Sequence, residues 1–396
     1  MKFDVEVAVI GGGIQGAGVA QAASAAGFST LIFDKNNWGS GTSSKSSKLI
    51  HGGLRYLESG QISLVKESLN ERRILLNIAA TLVKPLELLI PVYQQTKRRP
   101  WQLYIGLSLY SLLAGIIPLS RFKSYAADDI DSAMPLLRTQ LQRVFSYWDA
   151  QTHDQHLTEA VIASANKLGA TTLANTQCIS VKKVDQGYTL QIKKTTDGAT
   201  SEGIVHCRYL VNASGPWVNE VAANIFPAPS QLAIDWVKGS HLILRGQISD
   251  KGFYLEAPSD QRAVFVLPWH GDTLIGTTEQ AFTGNPDQVD VSTSEIDYLL
   301  ATLHHYFPSL EPDIIGQFAG LRVLPKGNSS LFSRPRDCIL HSDPNHPKLL
   351  SLYGGKLTGY RHNAEQVIKH ITRQLGPRRA IANTATLKLD DPSKPQ

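Results

Sequence analysis

Val5-Glu6-Val7-Ala8-Val9-Ile10-Gly11-Gly12-Gly13-Ile14-Gln15-Gly16 is the stretch whose reading decides the fold. Its first six residues are rich in β-branched side chains, the composition of a short buried parallel strand. Gly11, Gly13 and Gly16 then satisfy the G-x-G-x-x-G spacing. A helix is expected from there through about Ala26, ended by Gly27, and Ser29–Phe33 reads as a second strand closed by Asp34. Gly11 allows the tight turn, Gly13 lets a pyrophosphate approach the backbone, and Gly16 lets the helix pack closely on the strand. The helix N-terminus offers N–H groups and a positive dipole end to phosphates. Asp34 lies 18 residues after Gly16, where a ribose-binding carboxylate belongs. The unit is a dinucleotide site, and the motif alone does not separate a flavin from a nicotinamide cofactor.

Composition narrows the remainder. Of 396 residues 42% are hydrophobic and 18% charged, which suits a globular chain with a substantial core. The formal net charge of +5 suits anionic substrates or an anionic membrane surface. Nucleic acid is not an expected partner, because no Lys/Arg block with interleaved aromatics occurs. Cys178, Cys207 and Cys338 form no C-x-x-C pair, which argues against a disulfide framework and for a reducing, cytoplasmic setting. The histidines show no ligand spacing such as H-E-x-x-H, so no metal is expected. The first apolar run leads straight into glycines, so it reads as a strand rather than a signal peptide.

The segment after Asp34 carries more information. Trp38-Gly39-Ser40-Gly41-Thr42-Ser43-Ser44-Lys45-Ser46-Ser47-Lys48-Leu49-Ile50 is rich in hydroxyls and glycines, and it ends in His51-Gly52-Gly53-Leu54-Arg55-Tyr56-Leu57. This run closely resembles the FAD-dependent glycerol-3-phosphate dehydrogenases, of the D-amino-acid-oxidase-like flavoprotein superfamily. Val211-Asn212-Ala213-Ser214-Gly215-Pro216-Trp217, Lys238-Gly239-Ser240-His241, Val266-Leu267-Pro268-Trp269 and Ile275-Gly276-Thr277-Thr278 continue the likeness in family order. Gly320-Leu321-Arg322-Val323-Leu324 and Gly354-Gly355-Lys356-Leu357-Thr358-Gly359-Tyr360-Arg361 complete it. Two departures stand out: the family's C-terminal helical extension is not seen, and His153-Asp154-Gln155-His156-Leu157 stands where the family commonly reads Asp-Asp-Ala-Arg-Leu.

The resemblance implies an α/β fold with an α+β part. A discontinuous Rossmann-like FAD domain would take residues 1–80, 145–220 and 315–396. An antiparallel-sheet substrate domain would take 81–144 and 221–314. It implies FAD contacts from Gly11, Gly13, Ile14, Gln15, Gly16, Asp34, Lys35, Thr42, Ser43, Ser44, Ser47, Lys48, Leu49, His51 and Gly52. Further contacts would come from Ser214, Gly215, Trp217, Gly320, Gly354, Gly355, Lys356, Leu357 and Thr358. It also implies oxidation of sn-glycerol 3-phosphate to dihydroxyacetone phosphate, with C2 hydride transferred to flavin N5 and electrons passed to quinone. By the resemblance, Arg55, Arg322, Arg336 and Lys356 are the phosphate candidates, and guanidinium groups suit the task because they grip phosphate with paired donors. His241 is the best base by chemistry, because histidine titrates near neutrality, with His51 and Tyr56 as alternatives.

Two helices complete the reading. Leu357, Tyr360, Ala364, Val367, Ile368, Ile371 and Leu375 follow helical spacing, so a helix is expected from near Lys356. The resemblance places its N-terminus at the flavin ring, where its dipole would stabilise the reduced cofactor. Trp101–Ser120 is a run of 20 uncharged residues bracketed by Lys97, Arg98 and Arg99 before it and Arg121 and Lys123 after it. It reads as a buried or partner-facing helix, a peripheral contact with the inner face of the cytoplasmic membrane, or a span. Two other functions fit the same fold: oxidation of a 2-hydroxy acid, amino acid or N-methyl amine, or FAD binding by a non-catalytic assembly or relay protein.

Overall fold

The computed structural model describes residues 1–58, 60–115, 118–129, 135–327, 334 and 337–392. The opening strand spans Lys2–Ile10 and lies inside a nine-stranded sheet. It pairs in parallel with Thr30–Phe33 on one side and Ala199–Asn212 on the other, so Val9 faces Ile32 and Val211 in register. Both strand faces are covered, which explains why Val7–Ile10 is a continuous apolar run without alternation. Thr171–Leu173 extends the sheet beyond Thr30–Phe33, and His346–Tyr353 joins it in parallel against Ala199–Asn212. Thr176–Val184, Gly187–Thr196 and Ala199–Asn212 form an antiparallel meander.

The second sheet has ten strands. Ile234–Leu244 pairs antiparallel with Ile314–Pro325, Asp272–Gly276 and Gln280–Phe282. Ala263–Trp269 and Gly252–Glu256 continue it, and Gly252–Glu256 meets Val83–Tyr93 in a parallel step. Leu141–Thr152 then pairs antiparallel with Val83–Tyr93 and with the short strand Leu49–Ile50. All other pairings described in this sheet are antiparallel, so it is mixed at the one step between Gly252–Glu256 and Val83–Tyr93. Leu141–Thr152 and Ile314–Pro325 fall largely inside segments expected for the cofactor unit, yet both are strands of this second sheet. Pairing partners distant in sequence decide that membership.

Eight α-helices occur among the described residues: α1 Ile14–Ala25, α2 Arg55–Glu58, α3 Ile62–Ile78, α4 Pro100–Ala114, α5 Asp154–Lys167, α6 Val218–Ala223, α7 Thr293–Tyr306 and α8 Tyr360–Leu375. Helix α1 is buried along nearly its whole length between the first sheet, α5 and α8. Alanines and glycines make that close approach sterically feasible. A Cβ on Gly16 would sit 1.9 Å from the Gly11 carbonyl oxygen, and Gly11 itself takes φ +106°. Helix α8 starts at Tyr360 rather than near Lys356. Gly354 and Gly355 hold positive φ, and the Lys356 carbonyl accepts a hydrogen bond from Gln15 Nε2 at 3.0 Å, so residues 354–359 form a loop.

Helix α4 covers only part of the 101–120 run, and no described helix is long and apolar enough to cross a membrane. Its Leu103, Leu107 and Tyr110 are buried. Trp101, Tyr104, Ile105 and Leu112 are 56–76% exposed at spacings that share the opposite face. The helix is thus apolar all round while lying at the surface.

Candidate active site

One continuous cavity of about 390 Å³ runs from the first sheet to the second. At one end it is lined by the glycine turn, Asp34, Thr42, Ser43 and Lys45. His51 and the Gly354–Thr358 loop flank its middle. Arg55, Tyr56, Tyr254, Thr277, Glu279 and Arg322 line the other end.

At the first end, Gly13 stands at the N-cap of α1 and supplies no side-chain cap. The Ile14 N–H donates to Ser43 Oγ at 2.8 Å, which brings the hydroxyl-rich loop over the helix terminus. Asp34 accepts from the Gly12 N–H at 2.6 Å and the Asn36 N–H at 2.8 Å. Burial pushes its carboxyl above the usual carboxylate range, and the two N–H bonds oppose that shift. Gln15 ties α1 to the 354–358 loop through the Lys356 carbonyl and also accepts from Asn363 Nδ2 at 2.9 Å. Trp217 lines the cavity beneath Lys35, whose Nζ lies 4.2 Å from a Trp217 ring. The buried Trp217 Nε1 has no hydrogen-bond partner among the described residues.

The hydroxyl-rich loop is held from below by Asp154, which is fully buried at the start of α5. Asp154 accepts from the Ser46 N–H at 3.0 Å, Ser46 Oγ at 2.7 Å and Lys48 Nζ at 2.7 Å. Lys48 adopts φ 60°, an uncommon conformation for a residue with a side chain, and its Nζ also donates to the Ser44 carbonyl. Lys48 therefore builds the loop from behind and does not line the cavity, contrary to its expected place against the cofactor. Ser44 also lies outside the lining, its Oγ donating to the Ser40 and Gly41 carbonyls, and so do the closely packed Gly16 and Gly52. Close contacts explain both: a Cβ on Gly52 would sit 2.4 Å from the Tyr110 hydroxyl. In the departing segment, His156 stacks on His153 with ring centres 3.7 Å apart, so a ring pair occupies the position of the family's arginine.

At the other end, Arg322 donates from Nη1 to Glu279 Oε1 at 3.2 Å and from Nη2 to Thr277 Oγ1 at 3.3 Å. Burial pulls its pKa down to about 10, so it stays a cation at neutral pH. Lys356 Nζ lies 3.8 Å from the centre of the Tyr56 ring. Arg55 lines the same end and has no carboxylate partner among the described residues. Three of the four expected cations thus gather in one cavity; Arg336 lies outside the described residues.

The three base candidates separate. His51 and Tyr56 line the cavity. His241 does not: it is 1% exposed, stacked on Phe318, with Nε2 2.9 Å from Ser47 Oγ. Its Nδ1 has no partner among the described residues. Burial, then the charges of Arg322 and Lys48, hold its pKa well below the ordinary histidine value, so the ring is neutral. Its hydrogen bond to Ser47 links it to the cavity wall.

Residues 6–361 match the family model described as FAD dependent oxidoreductase. The chain belongs to the FAD-dependent oxidoreductase family. It is 36% identical over 377 residues to D-erythritol 1-phosphate dehydrogenase of Brucella abortus (strain 2308), covering 93% of this chain and 74% of that protein. It is 33% identical over 375 residues to aerobic glycerol-3-phosphate dehydrogenase of Escherichia coli (strain K12), covering 93% of this chain and 73% of that one. The fold matches the FAD complex of glycerol-3-phosphate dehydrogenase from Bacillus halodurans with TM-score 0.76 and 25% identity, over 98% of this chain and 68% of that one.

FAD is the cofactor, and the residues present fit it. The α1 terminus, Ser43 and Asp34 supply the donor and acceptor set for a dinucleotide. A Cβ on Gly13 would meet only Ser43 Oγ, so the absent side chain leaves open space along the cavity. The unsatisfied Trp217 N–H gives one more donor in the same wall.

Several cavity residues escaped the sequence reading. Glu279 follows the quoted Ile275–Thr278 motif directly and could have been flagged by that position. Tyr254, Phe265 and Tyr147 sit in ordinary strand patterns and carried no signal. Asp154 was in view within the departing segment, but its role depends on contacts with residues 106 to 108 positions earlier.

Proposed function

We propose that this flavoprotein oxidises sn-glycerol 3-phosphate to dihydroxyacetone phosphate and delivers the electrons to a quinone at a membrane surface. The observation that carries the reading is the gathering of Arg55, Arg322 and Lys356 at one end of the FAD cavity. A phosphate dianion is the ligand that best matches several desolvated cations, whereas a single carboxylate needs fewer. Arg322 is preset by Glu279 and Thr277, so its guanidinium needs little reordering to grip oxygen.

FAD, when bound, supplies a two-electron acceptor for the hydride leaving C2. The chain's own residues hold the phosphate, turn C2 toward the middle of the cavity and accept the hydroxyl proton. Ser47 lines the cavity with the neutral His241 ring behind it, so a proton received at Ser47 Oγ can pass to Nε2. Protonating Nε2 requires a proton already on Nδ1, a buried donor without a partner, so the ring holds the extra proton only briefly. His51 and Tyr56 flank the same space as the alternative acceptors.

Helix α4 supports the membrane part. Its exposed apolar face and the adjoining Lys97 and Arg99 match the interface between acyl chains and anionic headgroups. The D-erythritol 1-phosphate dehydrogenase relative favours a second reading, a four-carbon polyol phosphate in the same site. Anaerobic mixing with each compound tests both. Rapid loss of oxidised-flavin absorbance with glycerol 3-phosphate, and slower loss with D-erythritol 1-phosphate, lactate and sarcosine, is the expected result. The reverse order of the two phosphates would move the assignment to the longer polyol, and reduction by lactate or sarcosine alone would sink both.

A further inference from the structure

Gly239, Thr277, Glu279 and Arg322 line the inner cavity between the two sheets. A Cβ on Gly239 would sit 2.6 Å from Thr277 Oγ1 and 2.9 Å from Arg322 Nη2, so the strand Ile234–Leu244 lies directly beneath that guanidinium. Side chains alternate along a strand, and Lys238 and Ser240, on either side of Gly239, turn the other way, to α7. There they meet Glu295, which is fully buried and does not line the cavity. Glu295 Oε1 accepts from Ser240 Oγ at 2.8 Å and from Thr278 Oγ1 at 2.7 Å. Its Oε2 accepts from the Ser292 N–H at 3.0 Å and Ser292 Oγ at 2.9 Å, capping α7, and lies 2.7 Å from Lys238 Nζ. Burial alone would raise the carboxyl, but these bonds, led by that from Lys238, hold its pKa down to about 2, so it is ionised throughout the neutral range.

We propose that Glu295 is a positioning residue for the phosphate site: through Thr278 it seats the Thr277–Glu279 segment that aims Arg322 into the cavity. The inference rests on the reading of Arg322 as a phosphate ligand and concerns what holds that ligand in place. Arg322 donates to Thr277 Oγ1 and Glu279 Oε1, the neighbours of Thr278 on either side. Thr278 is tied twice, as donor to Glu295 and as acceptor from the Ser240 N–H at 2.9 Å. The residue between two cavity-lining side chains is thus pinned from outside the cavity by a buried carboxylate. Stability is a weak reason to keep such a charge, since a buried ion pair exchanged for apolar side chains is often neutral. Direction is what the network supplies, because a hydrogen bond weakens steeply as it departs from linearity. The Glu279 carbonyl is anchored separately by Arg262 Nη1 at 2.7 Å, so losing the Thr278 tie loosens the segment without releasing it. A phosphate dianion gripped by paired donors is the substrate group that such loosening penalises.

Thr278→Val and Thr278→Ser test the tie with the least disturbance. Valine keeps the branched shape and loses the hydroxyl, while serine keeps the hydroxyl. Glu295→Gln is the harsher variant, because it leaves Lys238 buried without its counter-charge; where it does not accumulate, the Thr278 pair decides. Ser292→Ala removes a side-chain cap bond to the same carboxylate without touching residues 277–279, so it reports a loosened α7 alone. Inorganic phosphate is titrated calorimetrically into each FAD-loaded protein, and KM and kcat for glycerol 3-phosphate are measured with ferricenium as acceptor. Thr278→Val and Glu295→Gln should weaken phosphate binding and raise KM by about tenfold, the scale of one mis-set hydrogen bond to a charged group, with kcat nearly unchanged. Thr278→Ser should stay close to the wild type in both measurements. Ser292→Ala should lower the melting temperature and keep its phosphate affinity. Phosphate affinity in Thr278→Val equal to the wild type, or lost equally in Thr278→Val and Ser292→Ala, would overturn the positioning role. Arg322→Ala separates that outcome from the reading beneath it. If this variant binds phosphate as well as the wild type, or the wild type binds none, the phosphate site itself is misplaced.

Discussion

Lys48 Nζ lies 2.7 Å from Asp154 Oδ1, with both side chains almost wholly buried beneath the cofactor loop. This pair fixes the turn that carries Ser43, Ser46 and Ser47 to the cavity wall. Removing one member leaves a buried charge unpaired, which costs about 3–5 kcal/mol. Asp154→Ala is therefore expected to lower the melting temperature sharply and to purify with little FAD. Lys167 and Asp390 make an ion pair of the same 2.7 Å length, but it is more than half exposed. Asp390→Ala should change stability by about 0–1 kcal/mol and leave FAD content intact. Equal losses in both variants would remove the structural role given to Asp154.

His241 predicts a pH dependence. Its folded pKa is held well below the ordinary 6.5, by burial first and then by Arg322 and Lys48. Below about pH 6.5 the unfolded chain binds a proton that the folded ring refuses. Stability from this group is thus complete above that pH and falls on acidification, by up to about 1.4 kcal/mol per pH unit. His241→Gln, compared with the wild type by urea unfolding at pH 7.5 and 5.5, should show the shallower loss. A wild-type loss no steeper than the variant's would mean that the ring takes up a proton in place.

Arg322 divides substrate binding from cofactor binding. Its guanidinium reaches the cavity from the second sheet, held by Glu279 and Thr277, while the glycine turn and Asp34, the proposed dinucleotide contacts, lie at the first. Arg322→Ala should lower kcat/KM for the polyol phosphate by about 10- to 100-fold, the worth of one or two charge-assisted hydrogen bonds. FAD content should remain near one per chain. Arg322→Lys should recover only part of the loss, because an ammonium lacks the paired donors. Full turnover of the alanine variant would move the phosphate site elsewhere.

The legible parts of this protein were local. The strand, glycine turn, helix and Asp34 lie within one short window, and their spacing translated directly into the central parallel strands and α1. Contacts between distant segments were not legible. The resemblance gives Lys48 as a cofactor contact, and only the fold brings Asp154 beneath it. Chemistry makes His241 the best base candidate, but its strand is packed on both sides by strands that end or begin far away, which buries the ring. Leu357 continues the apolar spacing and so predicts an earlier start for α8, while the preceding positive-φ glycines and the Gln15 bond keep that turn out of the helix.

Helix α4 makes the membrane reading measurable. Trp101 and Ile105 are 64% and 59% exposed, one turn apart, and neither is needed to hold the fold. Burying a large apolar side chain contributes about 1.5–3 kcal/mol. Trp101→Ser with Ile105→Ser should weaken sedimentation with phosphatidylglycerol-containing vesicles by about tenfold or more. Anaerobic flavin reduction by glycerol 3-phosphate should be unchanged, because neither residue lines the inner cavity. Vesicle binding equal to the wild type would assign this face to some other contact.

Gly13 and Gly16 stand three positions apart and should fail differently. A Cβ at Gly16 would fall 1.9 Å from the Gly11 carbonyl oxygen, inside backbone that cannot retreat without parting α1 from the first strand. A Cβ at Gly13 would meet only Ser43 Oγ at 3.0 Å, in the space the cofactor takes. Gly16→Ala is thus expected to lose both FAD and several degrees of melting temperature in the FAD-free protein. Gly13→Ala should lose FAD affinity while the FAD-free protein melts near the wild-type temperature. Overpacking of this kind costs about 1–3 kcal/mol, so the first effect should be visible in a thermal scan. If both variants destabilised the FAD-free chain equally, Gly13 would be serving the turn and not the pyrophosphate. The open side of the α1 terminus would then have to be sought in Ser43 and Ile14.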